Sequence, residues 1–216
     1  MPQRAVIFIN SSLPEPGVAR ACIQPEDVII AADGGARIAL SLGLVPQAIL
    51  GDLDSLTEAE IRVFEEMGVH ILRYPPAKNE TDLELALNYA LRAGYFPILI
   101  LGGHSGRLDQ ALANLALLST AEAIQATARL DDGLTEAFFI ATEGHISGNP
   151  GDTVSLLPWG LPAEGIETDG LCYPLHGETL WPHRSRGISN EMLGHTASIR
   201  LRRGLLLCIH QRNGKQ

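Results

Sequence analysis

Short, unbroken apolar runs recur along the first 130 residues, and a knot of polar residues follows most of them. The runs are Val6-Ile7-Phe8-Ile9, Val28 to Ala32, Ala48-Ile49-Leu50, Val69 to Leu72 and Ile98 to Leu101. They are continuous rather than alternating, which is the pattern of strands buried on both faces. Helical spacing lies between them. Residues 57–67 put Ile61, Phe64 and Met67 on one face ahead of Gly68, and residues 82–93 put Leu83, Ala86, Leu87, Ala90 and Leu91 on one face ahead of Gly94. Residues 107–119 read as a third helix. Strands alternating with helices predict an open, mainly parallel α/β sheet.

The texture changes after about residue 130. Asp131-Asp132-Gly133 signals a turn, and short strand-like runs follow at Phe138–Ile140, Thr153–Leu157, Ala197–Ile199 and Leu205–Ile209, punctuated by Gly and Pro with no helical spacing between them. This predicts a second, all-β unit. The boundary falls near residues 131–135, giving domains 1–132 and 133–216.

In an open parallel sheet the residues just after the strands converge on one crevice. Here those residues are Asp33, Gly51-Asp52-Leu53-Asp54-Ser55, the stretch Lys78 to Glu84, and Gly102 to Gln110. Asp52 and Asp54 would point apart on an extended backbone, whereas in a turn both can reach one cation, and such a pair suits Mg²⁺, which keeps waters and takes its other ligands from phosphates. A plain loop with a helix cap is the competing reading, since Ser55-x-x-Glu58 and Thr57-x-x-Glu60 both resemble capping boxes. Thr81-Asp82-Leu83-Glu84 fits a cap too, with Asp82 and Glu84 complementing a helix dipole. Lys78 just upstream adds a cation suited to phosphate. Gly102-Gly103-x-x-Gly106-Arg107 opens a helix, and such a turn can cradle an anion, with Arg107 adding a bidentate contact. It is neither a Walker A loop nor a dinucleotide fingerprint. Asp109 sits in the first helical turn. Ser105 lacks the flanks of a nucleophile elbow. The seven His show no metal-ligand spacing and read as surface or structural residues, and Trp159 and Trp181 as core or interface.

The formal net charge of −9 argues against a general nucleic-acid binder but not against a nucleotide site. Cys22, Cys172 and Cys208 are odd in number and widely spaced, so a disulfide framework and a zinc site are both disfavoured and a reduced, cytoplasmic protein is expected. No apolar run approaches the roughly 20 residues that span a bilayer, so no membrane association is expected.

Six pieces, in order along nearly the whole chain, resemble the thiamine pyrophosphokinase (thiamine diphosphokinase) family. They are Ala32-Asp33-Gly34-Gly35-Ala36, Gly51 to Ser55, Lys78 to Glu84, Gly106-Arg107-Leu108-Asp109-Gln110, Thr168 to Leu175, and Gly187-Ile188-Ser189-Asn190. Position 79 is Asn and position 110 is Gln, where many members carry an acid and a His. The resemblance implies an N-terminal α/β catalytic domain binding ATP and Mg²⁺, a C-terminal β-sandwich binding thiamine, and a homodimer with thiamine between the α/β half of one chain and the β half of its partner. It implies transfer of pyrophosphate from ATP to the hydroxyl of thiamine, giving thiamine diphosphate and AMP. By position, Asp52, Asp54 and Asp82 become the metal and phosphate-end carboxylates, and Lys78 and Arg107 neutralise phosphate. Asp33, Gly34, Gly102, Gly103, Gly106, Asp109 and Gln110 line the nucleotide or acceptor crevice, and Ser189 and Asn190 contact thiamine. Either Asp82 or Asp109 would take the hydroxyl proton. A metal-dependent phosphohydrolase, a non-catalytic nucleotide sensor and a kinase for another alcohol, a pterin or related heterocycle, are the rival readings.

Overall fold

Each apolar run of the first half becomes a strand in the computed structural model, which describes residues 3–104 and 106–213. The chain divides into two units, Met1–Asp132 and Gly133–Gln216. The first holds β1 (Ala5–Phe8), β2 (Val28–Ala32), β3 (Ala48–Gly51), β4 (His70–Arg73), β5 (Ile98–Leu101) and β6 (Arg129–Asp131). Its helices are α1 (Pro16–Ala21), α2 (Gly35–Ser41), α3 (Glu58–Glu66), α4 (Asp82–Arg92), α5 (Leu108–Leu118) and α6 (Ala121–Gln125). The strands lie in the order β6-β5-β1-β2-β3-β4, and every adjacent pair is parallel.

β1, β2, β3 and β5 are buried along their whole length, as unbroken apolar strands must be when covered on both faces. β4 departs from the expectation. It starts at His70 and is only partly covered, because it ends the row of strands and has one neighbour. The core of the unit joins Val6, Phe8, Ile29, Ala31 and Ile49 to Ile61 and Phe64 of α3. Met67, placed on that helix face by its spacing, is instead the C-cap residue and is exposed. α4 buries Leu83, Ala86, Leu87 and Ala90 and packs on β1, β2 and β3. Three helices lack a sequence signature. α1, α2 and α6 have six, seven and five residues, too few for amphipathic spacing to repeat.

Of the two capping boxes suggested ahead of α3, the one at Thr57 forms. Its hydroxyl accepts from Glu60 N at 3.3 Å, and Glu60 Oε2 accepts from Thr57 N at 2.8 Å. Arg37 then clamps the same carboxylate at 2.5 and 2.6 Å, and that guanidinium, followed by the Thr57 N–H and hydroxyl, holds the Glu60 carboxyl well below the usual range. Thr57→Ala is expected to lower stability by about 1 kcal/mol, read as a shift in the urea midpoint without a change in slope.

The second unit is a β-sandwich. Its strands are β7 (Thr135–Ile140), β8 (Glu143–Ser147), β9 (Thr153–Pro158), β10 (Ala163–Asp169), β11 (His176–Leu180), β12 (Asn190–Glu191), β13 (Thr196–Arg200) and β14 (Leu206–Gln211). β12-β9-β14-β7 form one antiparallel layer and β11-β10-β13-β8 the other. Phe138, Val154, Leu156, Leu206 and Cys208 of the first layer meet Ile146, Ile166, Leu180, Ala197 and Ile199 of the second in one apolar core. β8, β10, β11 and β12 carry no apolar run, since each is polar on its outer face or very short.

One polar knot is buried in this unit. His210 is 0% exposed, its Nδ1 lies 3.3 Å from Glu136 Oε2 and its Nε2 3.1 Å from Asp152 Oδ2. Arg212 also donates to Glu136 at 3.3 Å. A Cβ at Gly148 would stand 2.6 Å from Asp152 and 2.8 Å from the ring, so only glycine lets the loop close over the knot. His210 is thus a structural histidine, as the lack of ligand spacing suggests.

Candidate active site

The strand order creates the site. β1 lies between β2 and β5, so the chain steps outward from β1 to β4 and resumes on the other side of β1. Ligands of such sheets bind outside the carboxyl ends of the strands where the order reverses. A cleft of about 300 Å³ opens there, lined by Asn10, Asp33, Asp54, Asp82, Gln110 and Asn114 among others. These residues follow β1, β2, β3, the β4 connection and β5, so five separate segments supply it.

Backbone strain brings the Asp52–Asp54 pair together. Leu53 has φ +65° and a buried side chain. The left-handed turn cancels the alternation that would send the two carboxylates to opposite sides. Asp54 N donates to Asp52 Oδ1 at 3.2 Å. This bond, aided by Lys78 and working against burial, holds the Asp52 carboxyl below its usual range. Asn10 Nδ2 donates to Ser55 Oγ at 3.2 Å, and Ser55 Oγ donates to Asp54 Oδ1 at 3.3 Å, so a residue after β1 orients a carboxylate after β3.

Asp33 also takes a left-handed conformation, with φ +46°. Glycines make room for it. A Cβ at Gly35 would sit 2.2 Å from the Phe8 carbonyl oxygen, and one at Gly34 would sit 2.7 Å from the Asn10 carboxamide carbon. The Asp33-Gly34-Gly35 sequence therefore lets α2 start hard against β1. Carboxylate oxygens of Asp33, Asp52 and Asp54 all lie within 4.8 Å of one another, a set able to hold a metal ion. Asp82 pairs instead with Lys78, 2.7 Å from Oδ1 to Nζ, and Lys78 lies 3.4 Å from Asp52. The Lys78 side chain is only 9% exposed. Burial works to lower its pKa, yet Asp82 and then Asp52 outweigh that and raise it, so the ammonium stays charged.

The glycine turn after β5 is stitched internally. Gly102 N donates to Asp131 O at 3.2 Å and Gly103 N to Ser11 Oγ at 3.2 Å, while Asn114 Nδ2 donates to Gly103 O at 2.9 Å. Gly102, Gly103 and Gly106 all have positive φ, and those two N–H groups are already committed within the protein. Ser105 lies outside the described residues. Arg107 and Asp109 pair with each other at 2.6 Å and are 70% and 67% exposed, and neither is among the residues that line the cleft. The Arg107 hydrogen bond, with the Gln110 N–H, holds the Asp109 carboxyl below its usual range.

In the sandwich, Ser189 has φ +57° and is exposed. Asn190 is buried and both ends of its carboxamide are engaged: Oδ1 accepts from Tyr173 N and Glu191 N, each at 2.9 Å, and Nδ2 donates to Tyr173 O at 2.7 Å. Its carboxamide pins the Tyr173 turn and leaves that aromatic ring exposed. Trp159 meets Phe139 edge-on at 5.2 Å, whereas Trp181 is exposed. Asn10, Ser11 and Asn114 are absent from the sequence-derived set. The only signal for the first two is their position just after an apolar run, and Asn114 carries none inside its helix.

The parallel sheet ends in clustered carboxylates, a set able to hold a metal ion, with a buried lysine beside them. Residues 19–129 match the family described as thiamin pyrophosphokinase, catalytic domain, and residues 143–206 match thiamin pyrophosphokinase, vitamin B1 binding domain. The chain belongs to the thiamine pyrophosphokinase family. It is 30% identical over 182 residues to the thiamine pyrophosphokinase of Bacillus subtilis, covering 83% of this chain and 85% of that one. A crystal structure of thiamine pyrophosphokinase from Bacillus subtilis superposes with a TM-score of 0.87 at 26% identity, covering 98% and 100% of the two chains. Yeast thiamin pyrophosphokinase shares the fold, with a TM-score of 0.76 at 19% identity over 97% of this chain and 86% of that one.

Proposed function

We propose that the protein is an ATP-dependent thiamine pyrophosphokinase. The observation that carries the reading is the gathering of Asp33, Asp52, Asp54, Asp82 and Lys78 at the reversal point of the parallel sheet, in a chain whose two halves match the catalytic and vitamin-binding parts of one family. In the reaction the hydroxyl oxygen of thiamine attacks the β-phosphorus of ATP. The bond from that phosphorus to the α–β bridging oxygen breaks, AMP leaves, and the hydroxyl proton passes to a base. Such transfer depends on positioning and charge neutralisation rather than on a covalent enzyme intermediate.

The donor set fits Mg²⁺, since it is all carboxylate and one of its members, Asp33, carries a buried oxygen with no hydrogen-bond partner among the described residues. Asp52 and Asp54 would hold the ion, with a third carboxylate beside them. Bound there, it would supply positive charge to the triphosphate. Lys78, beside Asp82 and Asp52, neutralises phosphate at the cleft, and Arg107 does so from its exposed position at the start of α5. Gly34, Gly102, Gly103, Gly106 and Gln110 bound the nucleotide crevice. Asp82 lines the cleft while Asp109 is turned to Arg107, which favours Asp82 as the proton acceptor. In the sandwich, Ser189 offers its exposed hydroxyl to thiamine, and Asn190 acts by fixing the Tyr173 turn. The family resemblance supports a homodimer. Three cysteines with no disulfide among the described residues support a reduced, cytoplasmic setting, and no helix of the described residues is long and apolar enough to cross a membrane.

Incubation with ATP, Mg²⁺ and thiamine, with both products identified, tests the reading. AMP and thiamine diphosphate are expected in equal amounts. ADP with thiamine monophosphate would make the protein an ordinary kinase, phosphate release without an acceptor a phosphohydrolase, and ATP binding without turnover a sensor.

A further inference from the structure

We propose that a groove beside α4, separate from the catalytic cleft, is a second binding site for a heteroaromatic cation that ends in phosphate, the chemistry of thiamine diphosphate. The choice of that compound as the ligand rests on the proposed activity; the site rests on the groove's own residues.

α4 carries two stripes. Leu83, Ala86, Leu87 and Ala90 are buried, and the helix packs on β1, β2 and β3. Leu85, Asn88, Tyr89 and Arg92 stand at i, i+3, i+4 and i+7 and so share another face. Together with Glu80, Ala93 and Tyr74, which follows the end strand β4, they line a groove of about 430 Å³. The catalytic cleft measures about 300 Å³ and has no lining residue in common with it. Cavities of this size hold small molecules.

A groove along a helix can be no more than a solvated surface, and a cation in the last turn, such as Arg92, complements the helix dipole without any ligand. What distinguishes this one is unspent polar chemistry. The side chains of Tyr74, Glu80, Asn88, Tyr89 and Arg92 all converge on it, and none has a hydrogen bond or ion pair among the described residues. Tyr74, Asn88 and Tyr89 are half-buried, so they form walls rather than a freely solvated fringe.

The kinds of group present specify the ligand. Arg92 is a guanidinium able to take a phosphate through two parallel bonds. Glu80 lies two residues ahead of α4 and Arg92 is its last residue, so ~15 Å of helix separates the acid from the base. An elongated ligand with phosphate at one end and N–H groups at the other matches that spacing. Between them stand the phenol rings of Tyr74 and Tyr89, whose faces attract a cationic ring, and the Asn88 carboxamide. Thiamine diphosphate has this order of groups: aminopyrimidine, thiazolium cation, phosphates. AMP offers a phosphate and a neutral ring, and leaves the carboxylate and the two phenol faces without a positive counterpart.

The test is equilibrium dialysis of thiamine diphosphate against the whole chain in EDTA. Without metal the catalytic cleft sets Asp33, Asp52, Asp54 and Asp82 against Lys78 alone, so it repels phosphate, and binding under these conditions reports the groove. Arg92→Met should weaken binding by about tenfold or more, the cost of a hydrogen-bonded charge, and Arg92→Lys should recover part of it. Tyr89→Leu should weaken it as well. Arg92 is exposed, so circular dichroism and basal turnover of Arg92→Met should match wild type. Asp54→Asn should bind as wild type does. A wild-type protein that binds nothing in EDTA overturns the proposal, as does unchanged affinity in Arg92→Met. A change in Asp54→Asn as large as that in Arg92→Met would put the ligand in the cleft and also overturn it. AMP bound as tightly as thiamine diphosphate, with the same dependence on Arg92, overturns the assigned ligand class. Because binding is read without turnover, thiamine diphosphate formation by a protein whose groove stays empty leaves the proposed activity standing and removes this site. Groove binding in a protein that forms no thiamine diphosphate does the reverse.

Discussion

Asp54→Asn is expected to keep the fold and to lower the rate of AMP formation by on the order of a hundredfold or more, since the loss of a direct ligand costs at least as much as the loss of an outer one. Asp54 is exposed, and its recorded partner is the neighbouring Ser55 hydroxyl, so no part of the core depends on it. Its charge is what the site loses. Asn keeps the shape and the oxygen that accepts from Ser55, so the turn around Leu53 should survive. Initial rates at saturating ATP and excess Mg²⁺, beside circular dichroism of the same sample, decide the matter. A folded variant with near wild-type turnover would remove Asp54 from the metal set and with it the reading of the Asp52-Leu53-Asp54 turn as the centre of the site.

His210→Ala carries the largest expected effect on stability, about 3 kcal/mol or more. The ring is fully buried and each nitrogen faces a carboxylate. Its removal leaves a cavity and strips a partner from both Glu136 and Asp152. Burial works to raise the Asp152 carboxyl, but the N–H groups of Asn149 and Asn213 and the His210 ring outweigh it and hold the group below its usual range. A carboxyl depressed in the folded state stabilises the fold above its ordinary pKa of about 3.9 and loses that contribution as pH falls through the folded value. Urea unfolding of wild type and His210→Ala at pH 7 and at pH 3.5 should therefore show a large gap at neutral pH that narrows in acid. An equal gap at both values would mean that packing alone, and not the carboxylate contacts, accounts for the loss.

The architecture of the first unit was legible because burial on both faces demands unbroken apolar residues, and the runs at Val28–Ala32 and Ile98–Leu101 coincide with strands. β4 lies one residue beyond its apolar run and is only partly buried, since nothing in Val69 to Leu72 announces that no strand lies beyond it. The sandwich was only half legible. An outward polar row makes strands such as Glu143–Ser147 and His176–Leu180 look like loop. In the site, Asp52 and Asp54 could be read from their spacing, whereas Arg107 and Asp109, equally prominent in the motif, face each other in solvent.

By itself the sequence determined what local periodicity and residue chemistry carry: strands from apolar runs, the α3 cap from Thr57-x-x-Glu60, acids and a lysine placed after strands, and a second unit of different texture. Tertiary structure alone decided which of those acids meet. That depends on the strand order, which sets β1 between β2 and β5, and on two left-handed residues, Asp33 and Leu53, of which the leucine gives no hint of positive φ. Convergence across a sheet is a property of chain reversal and turn dihedrals, and neither leaves a pattern in the order of residues. So Asp33 joins Asp52 and Asp54, Lys78 takes Asp82, and Asn10 reaches across from the end of β1 to Ser55, the neighbour of Asp54.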